Sequence, residues 1–149
     1  MRTLAASLAS PRVASVPGWR TAVPVVAALA LALGFLATPA AEQSAAVQAA
    51  GPELTLLLRM MAGLKLAFVV AGIGFSWWRL GHPVRPMTAA AYLAAVACVS
   101  VAPGLIWDMA HIVLGAALLH GGLAALVALG WLDRDLHGPV LTRLALRRG

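Results

Sequence analysis

Residues 111 to 131 read HIVLGAALLHGGLAALVALGW. The run holds no lysine, arginine, aspartate, glutamate, serine or threonine. It matches the roughly 20 apolar residues that a helix needs to cross a hydrocarbon layer about 30 Å thick. Lipid offers no hydrogen bonds to a peptide group, so such a run is expected to be helical throughout. Three more stretches of the same kind precede it.

Those stretches run from about Thr21 to Pro39, Leu54 to Trp78 and Thr88 to Trp107, with the last from Met109 to Leu132. The composition agrees. Hydrophobic residues make up 62% of the 149 and charged residues 11%, against roughly 45–50% and 25% in soluble domains. Mean hydropathy is +0.90. The sequence thus predicts an all-α integral membrane protein, a four-transmembrane-helix bundle over 21–132. A segment 1–20 precedes it and a basic tail 133–149 follows. No soluble domain of useful size is left over.

The connections read as follows. AAEQSAAVQAAGPE, residues 40 to 53, is a polar small-residue linker ending at a Gly-Pro break. RLGHPVRP carries two prolines, which forbid one continuous helix. PGLIWD is a tight hairpin, with Asp108 placed to cap the fourth helix and His111 to share in that capping.

Arg2, Arg12, Arg20, Arg79, Arg85, Arg134, Arg143, Arg147 and Arg148 all fall on one side, against Arg59 and Lys65 near the other. The positive-inside bias therefore places both termini in the cytoplasm of a bacterial-type cell, in its inner membrane. Trp19, Trp77, Trp78, Trp107 and Trp131 sit at span ends, where an aromatic belt is expected. Cations placed beside oily runs account for the net charge of +6 without nucleic acid as a partner. Residues 1 to 41 also have the layout of a secretory signal, with ATPAA suited to cleavage. The long basic lead favours retention. The tail PVLTRLALRRG sets leucines against arginines and is expected to lie on anionic lipid.

Small residues at four-residue spacing let helices approach closely in lipid. Gly63, Ala67 and Ala71 form one such ladder, with Gly72 and Gly74 beside it. Ala90, Ala94, Cys98 and Ala102 form a second, and Ala117, Gly121 and Ala125 a third. This exceeds what one compact bundle requires and predicts other integral membrane subunits as partners, or a homo-oligomer. The lone Cys98, in an apolar run, is expected to be an inert buried thiol.

Intramembrane polar residues supply the candidate sites. Arg59 and Lys65 lie toward the outer end of the second span, about 9 Å apart along it. Lys65 either snorkels to the interface or meets an acid, ligand carboxylate or propionate from another molecule. Asp108 and His111 stand at the interface, either as mutual caps or as a periplasmic metal or proton-relay site. His120 lies twelve residues beyond Asp108, about 18 Å down the helix and near the bilayer centre. Ala116, Ala117, Gly121, Gly122 and Ala124 surround it. A neutral imidazole there either bonds a carbonyl, Ser100 or Cys98, or ligates a metal through one nitrogen while the small neighbours admit a macrocycle.

The spacing from Ala116 to His120, with Trp131 eleven residues on, resembles the pigment-ligating segment of bacterial light-harvesting polypeptides. The resemblance covers some sixteen residues of one span, and those polypeptides cross the membrane once. It implies a haem or chlorin on His120, shared with a partner subunit. A bis-histidine haem within one copy is not expected. His111 and His120 share one helix on opposite faces, and His82 and His137 lie outside the spans.

No Walker loop, HExxH, paired carboxylates or nucleophile with a base is present. The expectation is a small non-catalytic accessory subunit of a larger inner-membrane complex, most naturally one of respiratory or photosynthetic electron transfer. The alternatives are a cofactor binder acting through His120 toward a haem, chlorin or quinone at a subunit boundary, and a small-solute transporter or channel.

Overall fold

The computed structural model describes residues 18–133. It is all-helical, with four helices long and apolar enough to cross a membrane. These are α1 Gly18–Leu36, α2 Ala40–Arg79, α3 Pro86–Trp107 and α4 Ile112–Leu132. The segments before Gly18 and after Asp133, including His137 and the arginine-rich tail, lie outside the described residues.

The stretch expected to be a linker, residues 40 to 53, is instead helical and belongs to α2. Its alanines, Glu42 and the glutamines are strong helix formers, and its polarity says nothing against a helix outside lipid. The break expected at its end is real. Gly51 takes φ 77° and ψ 169°, a conformation that a side chain disfavours. Pro52, fixed near helical φ, then opens the longer part of α2. That part, to Arg79, is about 42 Å long at 1.5 Å per residue.

The fourth helix begins at Ile112, three residues later than expected. Met109 adopts φ 65°, and this left-handed residue turns the chain between α3 and α4. His111 occupies the N-cap position but makes no side-chain cap bond. Asp108 is the C-cap of α3, where its backbone N–H bonds the Gly104 carbonyl and the Met109 N–H bonds the Ile106 carbonyl. The expected capping of α4 by Asp108 with His111 is therefore not what these residues do.

The bundle is organised around α3, which packs along α1 and α4 and, less extensively, against α2. Some 61% of its most apolar stretch is buried, against 17–22% for the other helices. Tyr92, Val96, Val99 and Ala102 of α3 form the core with Val23 of α1 and Leu119 of α4. Glycines set the helix separations. A Cβ on Gly104 would overlap the Gly34 backbone, and one on Gly34 would overlap the Val101 carbonyl. A Cβ on Gly115 or Gly122 would come within 2.7 Å of an Ile106 or Val99 side chain.

These contacts are not the expected ladders. Gly63, Ala67, Ala71 and Gly74 are exposed on α2, and Ala117 and Gly121 on α4. Nothing lies within 4 Å of a Cβ built on Gly63, Gly74 or Gly121. Of the second ladder, Ala90 and Ala94 are exposed, Cys98 is half-buried and Ala102 is buried. Internal packing uses Gly34, Gly72, Gly104, Gly115 and Gly122, and leaves the ladders of α2 and α4 facing outward.

Candidate functional site

His120 stands on the exposed face of α4, among Ala117, Gly121 and Ala124. Its Nδ1 lies 2.7 Å from the Ala116 carbonyl oxygen, one turn back on the same helix. A carbonyl only accepts, so Nδ1 carries the hydrogen, and in a neutral ring Nε2 is then the nitrogen with the free lone pair. Neither Ser100 nor Cys98 takes part. The ring is thus held at one nitrogen, with the other turned away from the bundle.

A second polar group gathers where the α1–α2 and α3–α4 connections meet. Asp108 is only 3% exposed. Its Oδ1 accepts a hydrogen bond from Gln43 Nε2 at 3.1 Å, while Oδ2 has no partner. Burial raises the Asp108 pKa above its usual 3.8, and neighbouring Thr38, Arg59 and His111 pull it the other way. The early part of α2 thereby closes over this end of the bundle, held by a side chain from the segment expected to be a loop.

Arg59 is half-buried, with its guanidinium 5.1 Å from the Trp107 ring. Its Nε is buried without an acceptor. A groove of about 500 Å³ runs from Arg59 past Leu56 and Pro52 to the kink at Gly51. Lys65 is half-buried and makes no ion pair among the described residues. His111 is half-buried beside Asp108. Arg59, Asp108 and His111 therefore share one end of the bundle, and His120 stands apart from them on α4. Among the described residues, no three histidine, cysteine or acidic side chains come together as a metal site.

The opposite end holds an interaction that sequence reasoning missed. Arg79, 2% exposed, donates through Nε to Asp133 Oδ2 at 2.6 Å and through a terminal nitrogen to Oδ1 at 2.9 Å. Its other terminal nitrogen reaches the Pro83 carbonyl at 3.4 Å. This two-pronged bond joins the last turn of α2 to the end of α4, helices that otherwise touch little. Tyr92 and Ser76 are fully buried, and the Tyr92 hydroxyl and Asp133 are close enough to interact. By sequence alone Arg79 counts among the charges that orient the spans. The available signal was an acid and an arginine ending two oily runs at the same depth.

Arg20 stacks its guanidinium 3.6 Å over the Trp77 ring. His82 Nδ1 lies 3.1 Å from the Trp78 carbonyl. Cations and tryptophans are thus interleaved at the Arg79 end.

Comparison with protein families, with characterised proteins and with solved structures finds no match to this chain.

Proposed function

We propose that this chain is a multi-pass protein of a bacterial-type inner membrane, with both termini cytoplasmic. It serves there as a non-catalytic accessory subunit of a larger membrane complex. The observation that carries this reading is the surface left over by packing. Small residues at four-residue spacing on α2 and α4 face outward with nothing against them, and one of those faces carries His120. A lipid-facing histidine with an unsatisfied nitrogen is costly unless another molecule meets it. An energy-transducing complex of electron transfer is the setting we favour, since helices there routinely enclose groups that an imidazole can contact.

Extraction of native membranes in mild detergent tests the reading. Stable co-purification of further membrane polypeptides is expected. A monomer with nothing attached overturns it. Reporter fusions at Gln48 and at the C-terminus test the orientation, and a periplasmic signal from the C-terminus sinks it.

A second reading is favoured by the fixed His120 ring, whose outward Nε2 lone pair suits an axial ligand to a haem or chlorin lying against Ala117, Gly121 and Ala124. Replacement of His120 by glutamine keeps a hydrogen-bond donor and removes the ligand. A lost or shifted visible band in the purified complex supports the cofactor. An unchanged spectrum with intact assembly rules it out.

A further inference from the structure

The two limbs of α2 on either side of the Gly51 kink return to the same place. Gln43, before the kink, bonds Asp108 at 3.1 Å. Arg59, after it, holds its guanidinium 5.1 Å from the ring of the adjacent Trp107. The groove of about 500 Å³ lies across the kink. Val47 and Gln48 line it from one limb, and Pro52, Thr55, Leu56 and Arg59 from the other. Its size and its mix of apolar walls with a few polar groups suit a small-ligand site. The Thr55 hydroxyl is already spent on the Gly51 carbonyl at 2.7 Å. That leaves the Gln48 amide and the Arg59 guanidinium as the polar groups of the lining.

Arg59 is what gives this groove a chemistry. A guanidinium carries five N–H donors and a charge that it cannot shed. Among the described residues none of these donors meets an acceptor, and Nε is shut off from water as well. Asp108 feels the charge of Arg59 but forms no ion pair with it. That carboxylate is buried, with one oxygen already on Gln43. The Trp107 ring offsets part of the charge and supplies no lone pair.

We infer that the groove is a binding site for a small organic oxyanion, a carboxylate or phosphate carried on an apolar body. Two oxygens of such a group match the guanidinium edge, which presents parallel donors to both at once. The apolar body then covers Val47, Pro52 and Leu56, the last of which is 63% exposed without it. Arg59 itself repels a cation. A neutral apolar molecule would leave the buried Nε as unsatisfied as before. Because the lining comes from both limbs, the bound molecule also braces the kink. The limb before Gly51 is then held to the bundle by more than the Gln43 bond.

The test uses the purified full chain in a neutral detergent, with benzoate as the probe and calorimetric titration as the readout. Saturable binding of benzoate is expected. Inorganic phosphate, which has no apolar body, should bind several-fold more weakly. Arg59→Gln is expected to weaken benzoate roughly tenfold, the worth of one charge-assisted hydrogen bond. Arg20→Gln, which removes an equal charge from above Trp77 at the other end, should change nothing. Leu56→Gln is expected to weaken benzoate about threefold. Leu57→Gln, similarly exposed but outside the lining, should leave it unchanged. Repeating the titration in lipid nanodiscs identifies the source of the natural oxyanion. Undiminished benzoate binding there supports a free solute, and competition by the bilayer supports a lipid headgroup in the same site. Absence of saturable benzoate binding overturns the proposal. An equal loss from Arg59→Gln and Arg20→Gln also overturns it, since that is general attraction to a cationic chain. If Arg59→Gln does not fold, the leucine pair decides, and an equal effect of both leucine changes overturns the groove.

Discussion

Asp133→Ala removes the acceptor of the two Arg79 bonds that reach the end of α4, while leaving the arginine where packing holds it. Arg79 is 2% exposed, and the bonds lost measure 2.6 and 2.9 Å. The Pro83 carbonyl at 3.4 Å and the other contacts of Arg79 stay in place and soften the loss. Breaking a buried ion pair by deleting one partner costs about 3–5 kcal/mol, mostly the burden of a buried charge without its counterion. Arg79 lies at the end of α2, where a long side chain can swing toward water, so the lower figure of about 3 kcal/mol is expected. The converse change, Arg79→Met, costs less, because a buried carboxyl deprived of its cation can take up a proton. In the double variant Arg79→Met with Asp133→Leu, neither charge is left over, and most of the loss should return. Reversible unfolding in mixed micelles, followed by far-UV circular dichroism, gives all four corners of the cycle. The reasoning fails if Asp133→Ala costs under 1 kcal/mol, or if the double variant is no more stable than the worse single one.

Three further outcomes follow from other parts of the molecule. Gly104→Ala places a methyl into the Gly34 backbone and should cost about 3 kcal/mol, the upper end for overpacking, because backbone cannot step aside; Gly121→Ala, in open space, should leave monomer stability unchanged in the same assay. Gly51→Ala forces a side chain into φ 77° and should cost about 1–2 kcal/mol, read as loss of the Gln43 contact by hydrogen exchange at the α2 start. Burial lifts the Asp108 pKa, so the folded chain holds that proton more tightly than the unfolded one; stability should fall as pH rises from the ordinary carboxylate range through the raised value and level off above it. Asp108→Asn should abolish that fall and exceed the parent in stability at neutral pH.

The helices that apolar composition defines were legible, because a long run such as 112–132 leaves the backbone no option but to satisfy itself. What polarity defines was not. Residues 40 to 50 look like a loop by hydropathy, yet alanine, glutamate and glutamine favour a helix wherever water can reach them. Asp108 has the local look of a cap, and only the left-handed Met109 and the distant Gln43 show that it is an acceptor buried under α2. Arg79 and Asp133 are 54 residues apart, and no local rule joins them. The small-residue ladders were found by spacing alone. Spacing cannot say which side of a helix faces its neighbours, and the glycines that do pack lie one face away. His120 was legible as a histidine inside the fourth helix, while its anchoring to Ala116 and its outward edge required coordinates.

The central position of α3 has a consequence for how the protein is made. Chains enter a bilayer from the N-terminus onward, so on the proposed topology α1 and α2 arrive before the helix that both rest on. Gly34 of α1 then waits with its notch open until Gly104 is synthesised some seventy residues later. Each early helix must therefore hold its place in lipid on its own. Their most apolar stretches, at mean hydropathy 1.8 and 1.9, are nearly as oily as the 2.0 of α3. On that topology, delays in translation after α2 would lengthen the time for which the packing faces of α1 and α2 stand open.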